Sequence, residues 1–308
     1  MAFTAKDVQT LREMTGVGMM DCKKALTDTD GDMDKAVELL REKGMAAAAK
    51  KADRIAAEGV CAAFVADNGV GAVVEVNSET DFVAKNTDFQ TFVLDVAKAV
   101  AINNPADVEA LKNCTYPGST QTVGAALQDK VLTIGENLQI RRFDYSGAPV
   151  NAAYVHMGGK IAVLVHMDVS DNLKQNPAVV ELGRDVAMQV AAMRPLWLCE
   201  KEADADTIAK EREILEAQVR QDEKNASKPA QVIEKIVEGR VRKYLAEVCL
   251  LNQTFVKENS LTVAQYVEQK AKELGGTITV TKYTRFEKGE GIAKREDDFA
   301  AEVAKMIG

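Results

Sequence analysis

The chain has 308 residues, 46% hydrophobic and 28% charged, with a formal net charge of −8. That length exceeds one ordinary compact core and predicts two or more domains, and the composition is that of a soluble globular protein. The acidic balance argues against attraction of nucleic acid by the whole surface, so no direct nucleic-acid partner is expected. Cys22, Cys61, Cys114, Cys199 and Cys249 stand far apart with no C-x-x-C pair, which is neither a disulfide framework nor a zinc site. The N-terminus has no signal-peptide core and no run approaches the roughly 18 apolar residues of a membrane span, so the expectation is a cytoplasmic protein without membrane attachment.

Residues 4–44 read as three short helices. Thr4 with Asp7 resembles a capping box, and Val8, Leu11 and Met14 give the first apolar stripe. Gly16 and Gly18 break the chain before a second helix carrying Met19, Met20, Cys22, Lys23, Ala25 and Leu26. Asp32 caps a third helix with Val37, Leu39 and Leu40, expected to stop at Gly44. Two readings stand open for this segment, a recruiting module and a packed appendage. Met45 to Ala57 is Ala- and Lys-rich, read as a helical linker with Lys50, Lys51 and Arg54 in solvent.

An internal repeat follows. Shifting the sequence by 90 residues superimposes 59–101 on 149–191 without a gap, with 14 of 43 positions identical, where chance supplies about three. Each copy reads as strand–turn–strand–loop–helix. In the first, the Val-rich run Ala72–Val76 precedes the loop Asn77–Asn86, and Phe89, Phe92, Val93, Val96, Ala97 and Val100 mark one helix face. Asp81 has a counterpart in Asp171, but Phe82 aligns with Asn172. The fold as such does not demand an aromatic there, which leaves Phe82 either tucked inward or offered to a partner.

Ala203 to Leu251 turns helical and charged. Ile208, Leu215 and Val219 form one stripe, Val232, Ile236, Val237, Val241 and Tyr244 another, and Asn225–Pro229 breaks the run. The pattern predicts an antiparallel helical hairpin projecting from the body. Thr277–Phe286 alternates as a strand, Gly289-Glu290-Gly291 turns, and Asp297 or Asp298 opens a last helix bearing Phe299, Val303 and Met306, a lid or a partner contact.

Catalytic chemistry is missing from the pattern. The two histidines, His156 and His166, lie ten residues apart in predicted strands without a carboxylate–cysteine cluster. No P-loop, dinucleotide fingerprint or nucleophile elbow occurs. Glu79 with Asp81 resembles a carboxylate pair, with their relative placement open. A binding protein is expected, with no catalytic residue, no metal site and no cofactor.

Four segments together resemble bacterial translation elongation factor Ts. They are Leu11–Leu26 (LREMTGVGMMDCKKAL), Glu75–Asn86 (EVNSETDFVAKN), Ile134–Asn137 with Arg141-Arg142, and Arg285–Gly291 (RFEKGEG), in the family's order and spanning most of the chain. The resemblance implies an α+β fold. Its parts are a ubiquitin-associated-like three-helix module (1–53), a core of two repeated α/β subdomains (54–144, then 145–199 with 252–286), an antiparallel coiled-coil-like hairpin (200–251) and a C-terminal helical module (287–308). It implies guanine nucleotide exchange on elongation factor Tu. On the family pattern, Thr80, Asp81, Phe82 and Val83 enter the partner's nucleotide domain and displace Mg²⁺. Arg12, Met19 and Met20 would touch the same domain, as would the C-terminal helix, with the second subdomain on the partner's third domain. Pairing of two heterodimers through the hairpin stays open. The loop Asn113–Thr122 looks longer than is usual in that family.

Two rival readings come from other classes. One is an adaptor whose N-terminal module binds a ubiquitin-like or helical ligand; the other is an acid–base enzyme using Glu79 and Asp81.

Overall fold

The computed structural model describes residues 3–225 and 228–293; the last helix expected from Asp297 or Asp298 lies outside them. Three helices open the chain, α1 (Ala5–Thr15), α2 (Met19–Asp28) and α3 (Met33–Lys51). The capping box is present: the Asp7 N–H donates to Thr4 Oγ1, and the Thr4 N–H donates to the Asp7 carboxylate at 2.7 Å. Gly16 ends α1 in the left-handed region (φ 68°), a conformation costly for any residue with a Cβ. Val8, Leu11, Cys22, Ala25, Leu26 and Leu40 form the centre of this small core. Met14, expected in the first stripe, is instead 60% exposed.

Gly44 does not stop the third helix. α3 continues through it to Lys51 because the Ala-rich stretch that follows favours helix and because Gly44 lies where α3 crosses a later helix. A Cβ at Gly44 would sit 3.5 Å from the Gln128 carbonyl oxygen and 3.7 Å from Leu132, ordinary contact distances, so this point of α3 packs directly on the later helix. The linker is also not merely solvated. The Lys51 ammonium donates to the Gly135 carbonyl at 2.6 Å.

Beyond it come β1 (Glu58–Val65), β2 (Gly71–Ser78), α4 (Asp81–Ala84), α5 (Thr87–Asn103), α6 (Val108–Asn113), α7 (Val123–Ile134) and β3 (Gln139–Ser146). Then follow β4 (Val150–His156), β5 (Ile161–Val169), α8 (Pro177–Met193), α9 (Ala205–Gln221), α10 (Ala230–Val248), β6 (Thr254–Phe255), β7 (Glu258–Thr262), α11 (Val263–Glu273) and β8 (Ile278–Glu287). The architecture is α+β, with two antiparallel three-stranded sheets ordered β1-β2-β3 and β4-β5-β8.

The sheets lie face to face. Ala72, Val74 and Val76 point to α5 and α7, while Cys61 and Val73 on the other face meet Ala162, Leu164 and Phe286 of the second sheet. A central strand buried on both faces favours apolar residues, which is why β2 and β5 read as Val-rich runs, with Glu75, Asn77 and Ser78 of β2 and His166 of β5 as buried polar exceptions. Each sheet carries its helices on the outside, α5 and α7 on the first, α8 and α11 on the second.

The 90-residue repeat is visible as structure. It relates α5 to α8 from first residue to last, including the left-handed caps Asn104 (φ 43°) and Arg194 (φ 48°). The repeat also extends past the region where the sequence reading traced it. Thr122-Val123, Lys130 and Gly135 recur as Thr262-Val263, Lys270 and Gly275, a shift of 140. The additional 50 residues are the α9–α10 hairpin, inserted inside the second copy. The hydroxyl of Tyr116 reaches Asp95 at 2.9 Å in one copy, and that of Tyr266 reaches Asp185 at 3.0 Å in the other.

The Asn113–Thr122 loop is closed by a bridge between Thr115 and Thr122, and Tyr116 stacks on Phe92 with centroids 5.9 Å apart. In the hairpin, Val219, Ile233 and Val237 are buried. Val232, assigned to the inner stripe, faces outward: the helix phase places Ile233 inside instead. No helix among the described residues is long and apolar enough to cross a membrane.

Candidate partner-docking site around Phe82

β2 ends at Ser78, and the chain makes one helical turn, α4, before α5 begins. Thr80 caps that turn, accepting the Val83 N–H at its hydroxyl oxygen at 3.4 Å. Ala84 is buried and Val83 half-buried against the first core, which orients the turn. Phe82, immediately before Val83 in sequence and about 100° from it around the helix, points outward with 81% of its surface exposed. A large aromatic this exposed, on a structured turn, has no role in its own core.

The four residues expected to act together divide the work. Thr80 and Val83 hold the turn, Phe82 is presented, and the Asp81 carboxylate takes a hydrogen bond from Lys85 at 2.6 Å. That bond holds the Asp81 carboxyl below the usual range, so it is ionised. Glu79 and Asp81 do not form a carboxylate pair: Glu79 faces Asn137 and Arg54, and Asp81 faces Lys85. In the N-terminal module Arg12 is exposed, Met19 is 50% and Met20 73% exposed, all outside the small core. Met19 and Met20 are thus not part of that core.

The loop is positioned by residues that sequence reading quoted only as family markers. Glu136, just past the left-handed Gly135, accepts the N–H groups of Glu79 (3.0 Å) and Thr80 (3.1 Å) and the Thr80 hydroxyl (2.6 Å). The bond is returned: the Asn137 N–H donates to Glu79 at 2.6 Å. Behind the turn, the fully buried Glu75 accepts from Arg141 (3.0 Å), Arg142 (2.6 Å) and the Gly289 N–H (2.7 Å), joining β2 and β3 to the turn after β8. These partners are 56 to 214 positions apart, so no local pattern could have found them.

Elsewhere the chemistry is structural. His166 is buried in β5, and burial pushes its pKa down to about 4. His156 Nδ1 lies 3.0 Å from the Tyr154 hydroxyl. Among the described residues no group of three or more His, Cys, Asp or Glu is placed to hold a metal ion.

Comparison with known proteins places this geometry in a family. The family described as Elongation factor TS matches residues 79–290. Elongation factor Ts of Clostridium perfringens is 48% identical over 308 residues, covering 99% of both chains. That of Syntrophotalea carbinolica is 47% identical over 309 residues with the same coverage, and that of Trichlorobacter lovleyi 47% over 314 residues, covering all of this chain and 99% of its own. The chain belongs to the elongation factor Ts family.

Proposed function

We propose that this chain is a guanine nucleotide exchange factor in translation elongation, acting on elongation factor Tu and promoting GDP release by displacing Mg²⁺. The observation that carries the reading is the Phe82 ring, 81% exposed on a turn whose neighbours are all anchored. Thr80, Asp81, Phe82 and Val83 form the wedge, and Arg12, Met19 and Met20 the second contact, where flexible methionines suit an adaptable surface. The hairpin 200–251 is the element through which two complexes would pair, and the remaining division of the chain follows 1–53, 54–144, 145–199 with 252–286, and 287–308.

The physics requires no chemistry from the factor. Mg²⁺ bridges the phosphates of a bound nucleotide and holds the switch loops around them. A rigid ring pressed between partner elements shifts the groups that ligate the ion; with the ion gone, phosphate charge is uncompensated and GDP leaves faster. Coupling is reciprocal, so incoming nucleotide weakens the factor's own grip and releases it for another cycle. The enzyme reading is disfavoured by the separation of Glu79 from Asp81, and the adaptor reading leaves Phe82 without a use.

The test is release of fluorescent GDP from elongation factor Tu with the wild-type chain and Phe82→Ala in parallel. Acceleration by the wild type and its loss in the variant are expected. An unaccelerated release with the wild type would leave only the adaptor.

A further inference from the structure

We propose that Glu136 is the positioning residue of the Phe82 turn, and that with Glu79 and Asn137 it forms a latch that fixes this turn relative to the N-terminal helical module. The proposal rests on the exchange-factor reading and deepens it.

The latch is a reciprocal pair of side chain-to-backbone bridges. Glu136 takes the N–H groups of Glu79 and Thr80 at 3.0 and 3.1 Å and the Thr80 hydroxyl proton at 2.6 Å. With its proton committed to Glu136, the Thr80 oxygen turns its lone pair toward the Val83 N–H and starts the helical turn that presents Phe82. In return, Glu79 accepts the Asn137 N–H at 2.6 Å. Both carboxylates therefore bind backbone groups whose loss would free the strand-to-helix connection.

A third segment enters the same junction. The Asn137 side-chain amide donates to the carbonyls of Arg54 (2.7 Å) and Ala52 (3.3 Å), and the Arg54 guanidinium lies 3.5 Å from Glu79. Residues 52–54 are the chain leaving α3. The module that carries Arg12, Met19 and Met20 and the turn that carries Phe82 are thus referred to one set of hydrogen bonds.

The second copy of the repeat shows what the fold does without the latch. Glu136 corresponds to Gly276 and Asn137 to Thr277. There the loop closes directly on backbone, the Thr277 N–H donating to Ser170 Oγ at 3.0 Å and the Ser170 N–H to the Thr277 carbonyl at 3.0 Å. A Cβ at Gly276 would lie 2.3 Å from Ser170 Oγ and 2.7 Å from Leu173, so no side chain fits. In that copy Leu173 is buried and Asn172, the counterpart of Phe82, is bonded down to the Gly275 carbonyl at 3.1 Å. A glutamate at 136 is thus not a requirement of the fold. It fills the space between loop and turn and sets the loop outward.

The experiment uses the full chain and elongation factor Tu loaded with fluorescent GDP, reading the release rate at saturating factor separately from the half-saturating concentration. Glu136→Ala removes three hydrogen bonds to a carboxylate acceptor and is expected to lower the saturated rate on the order of tenfold to a hundredfold. Glu136→Gln, which keeps an acceptor oxygen, should recover most of it. A purely structural role would reduce the folded fraction, which raises the half-saturating concentration and leaves the saturated rate alone. Hydrogen exchange should lose protection at the Glu79 and Thr80 amides while β2 keeps it. Thr80→Val, which removes the 2.6 Å contact at nearly constant volume, is the second variant and should slow the saturated rate several-fold. A wild-type saturated rate in Glu136→Ala or Thr80→Val overturns the latch, provided Phe82→Ala is slow in the same assay. A wild-type rate in Phe82→Ala overturns the exchange reading itself, and the latch with it.

Discussion

Phe82 and Phe89 lie seven residues apart and have opposite surroundings, 81% exposed and fully buried respectively. Burying a Phe side chain contributes about 1.5–3 kcal/mol, so the fifth of Phe82 that is covered contributes roughly 0.3–0.6 kcal/mol. Alanine is the better helix former within α4 by up to about 0.5 kcal/mol, which offsets most of that loss. Phe82→Ala should therefore leave the melting temperature within about 2 °C of wild type, given roughly 2–4 °C per kcal/mol for a chain of this size class. Phe89→Ala opens a cavity in the first core, costs about 3–5 kcal/mol and should lower the melting temperature by about 6–20 °C. The order reverses for GDP release, where truncating a central aromatic anchor costs about 2 kcal/mol or more, roughly 30-fold in rate. Thermal melts and the release assay on the same two preparations measure both quantities. A Phe82→Ala melt as low as that of Phe89→Ala, or a release rate as fast as wild type, would refute the assignment of the ring to a partner.

His166 predicts a pH dependence of stability. Its folded pKa of about 4 lies below the ordinary 6.5, through burial first and the nearby Lys282 second, with Asp144 opposing. The unfolded chain takes up a proton below pH 6.5 that the folded one refuses, so this contribution is whole above pH 6.5 and is lost as the pH falls to about 4. The full shift corresponds to about 3 kcal/mol, reduced to roughly 2 kcal/mol by solvent screening; His166→Gln should flatten urea midpoints across that window, and an unchanged pH slope would count against it. Glu75→Gln leaves Arg141 and Arg142 short of a counter-charge and should cost about 3 kcal/mol or more in urea denaturation; a loss below about 1 kcal/mol would mean the cluster is solvated. Gly289 has φ +67°, and a Cβ there would lie 2.0 Å from the Ala57 carbonyl oxygen. Gly289→Ala should detach the turn after β8 from the first sheet, seen as faster hydrogen exchange at Ile292, whose N–H donates to the Gly289 carbonyl.

What the sequence made legible was periodic or duplicated. The face of α5 from Phe89 to Val100 is buried as its spacing requires, and the two copies of the strand–strand–helix unit occupy equivalent places. Patterns of period 2 and 3.6 report burial directly. Phe82 was legible by subtraction, since its counterpart Asn172 marked the aromatic as dispensable to the fold. Illegible features depend on distant partners. Gly44 reads as a stop until α7 is seen beneath it, and Lys51 reads as solvated until the Gly135 carbonyl is found 2.6 Å away. Val232 and Ile233 are equally apolar, and only the docking of α10 on α9 decides between them. The latter half of the repeat escaped notice because the hairpin changes the offset from 90 to 140 within the second copy.

The two copies also separate what the fold needs from what this chain adds to it. At offset 90, the buried Glu75 and Asn77 of β2 correspond to Val165 and Met167 of β5, buried to the same degree. Apolar residues at those positions build the same strand, and buried ion pairs seldom stabilise a fold more than well-packed apolar groups would. Glu75 and Asn77 are therefore not retained for the stability of the sheet. Glu75 reaches outside it to the turn at Gly289 while holding both arginines of the neighbouring β3, and Asn77 bonds to the Glu58 carbonyl of β1 at 3.0 Å. The polar substitutions of the first copy, from Glu75 through Asn137, cluster around the loop that carries the exposed Phe82, while the second copy ties its loop down through the Ser170 and Asn172 side chains. A duplicated apolar framework supplies the rigidity, and three carboxylates in one copy, Glu75 buried and Glu79 and Glu136 half-buried, convert it into a fixed mount for a single ring.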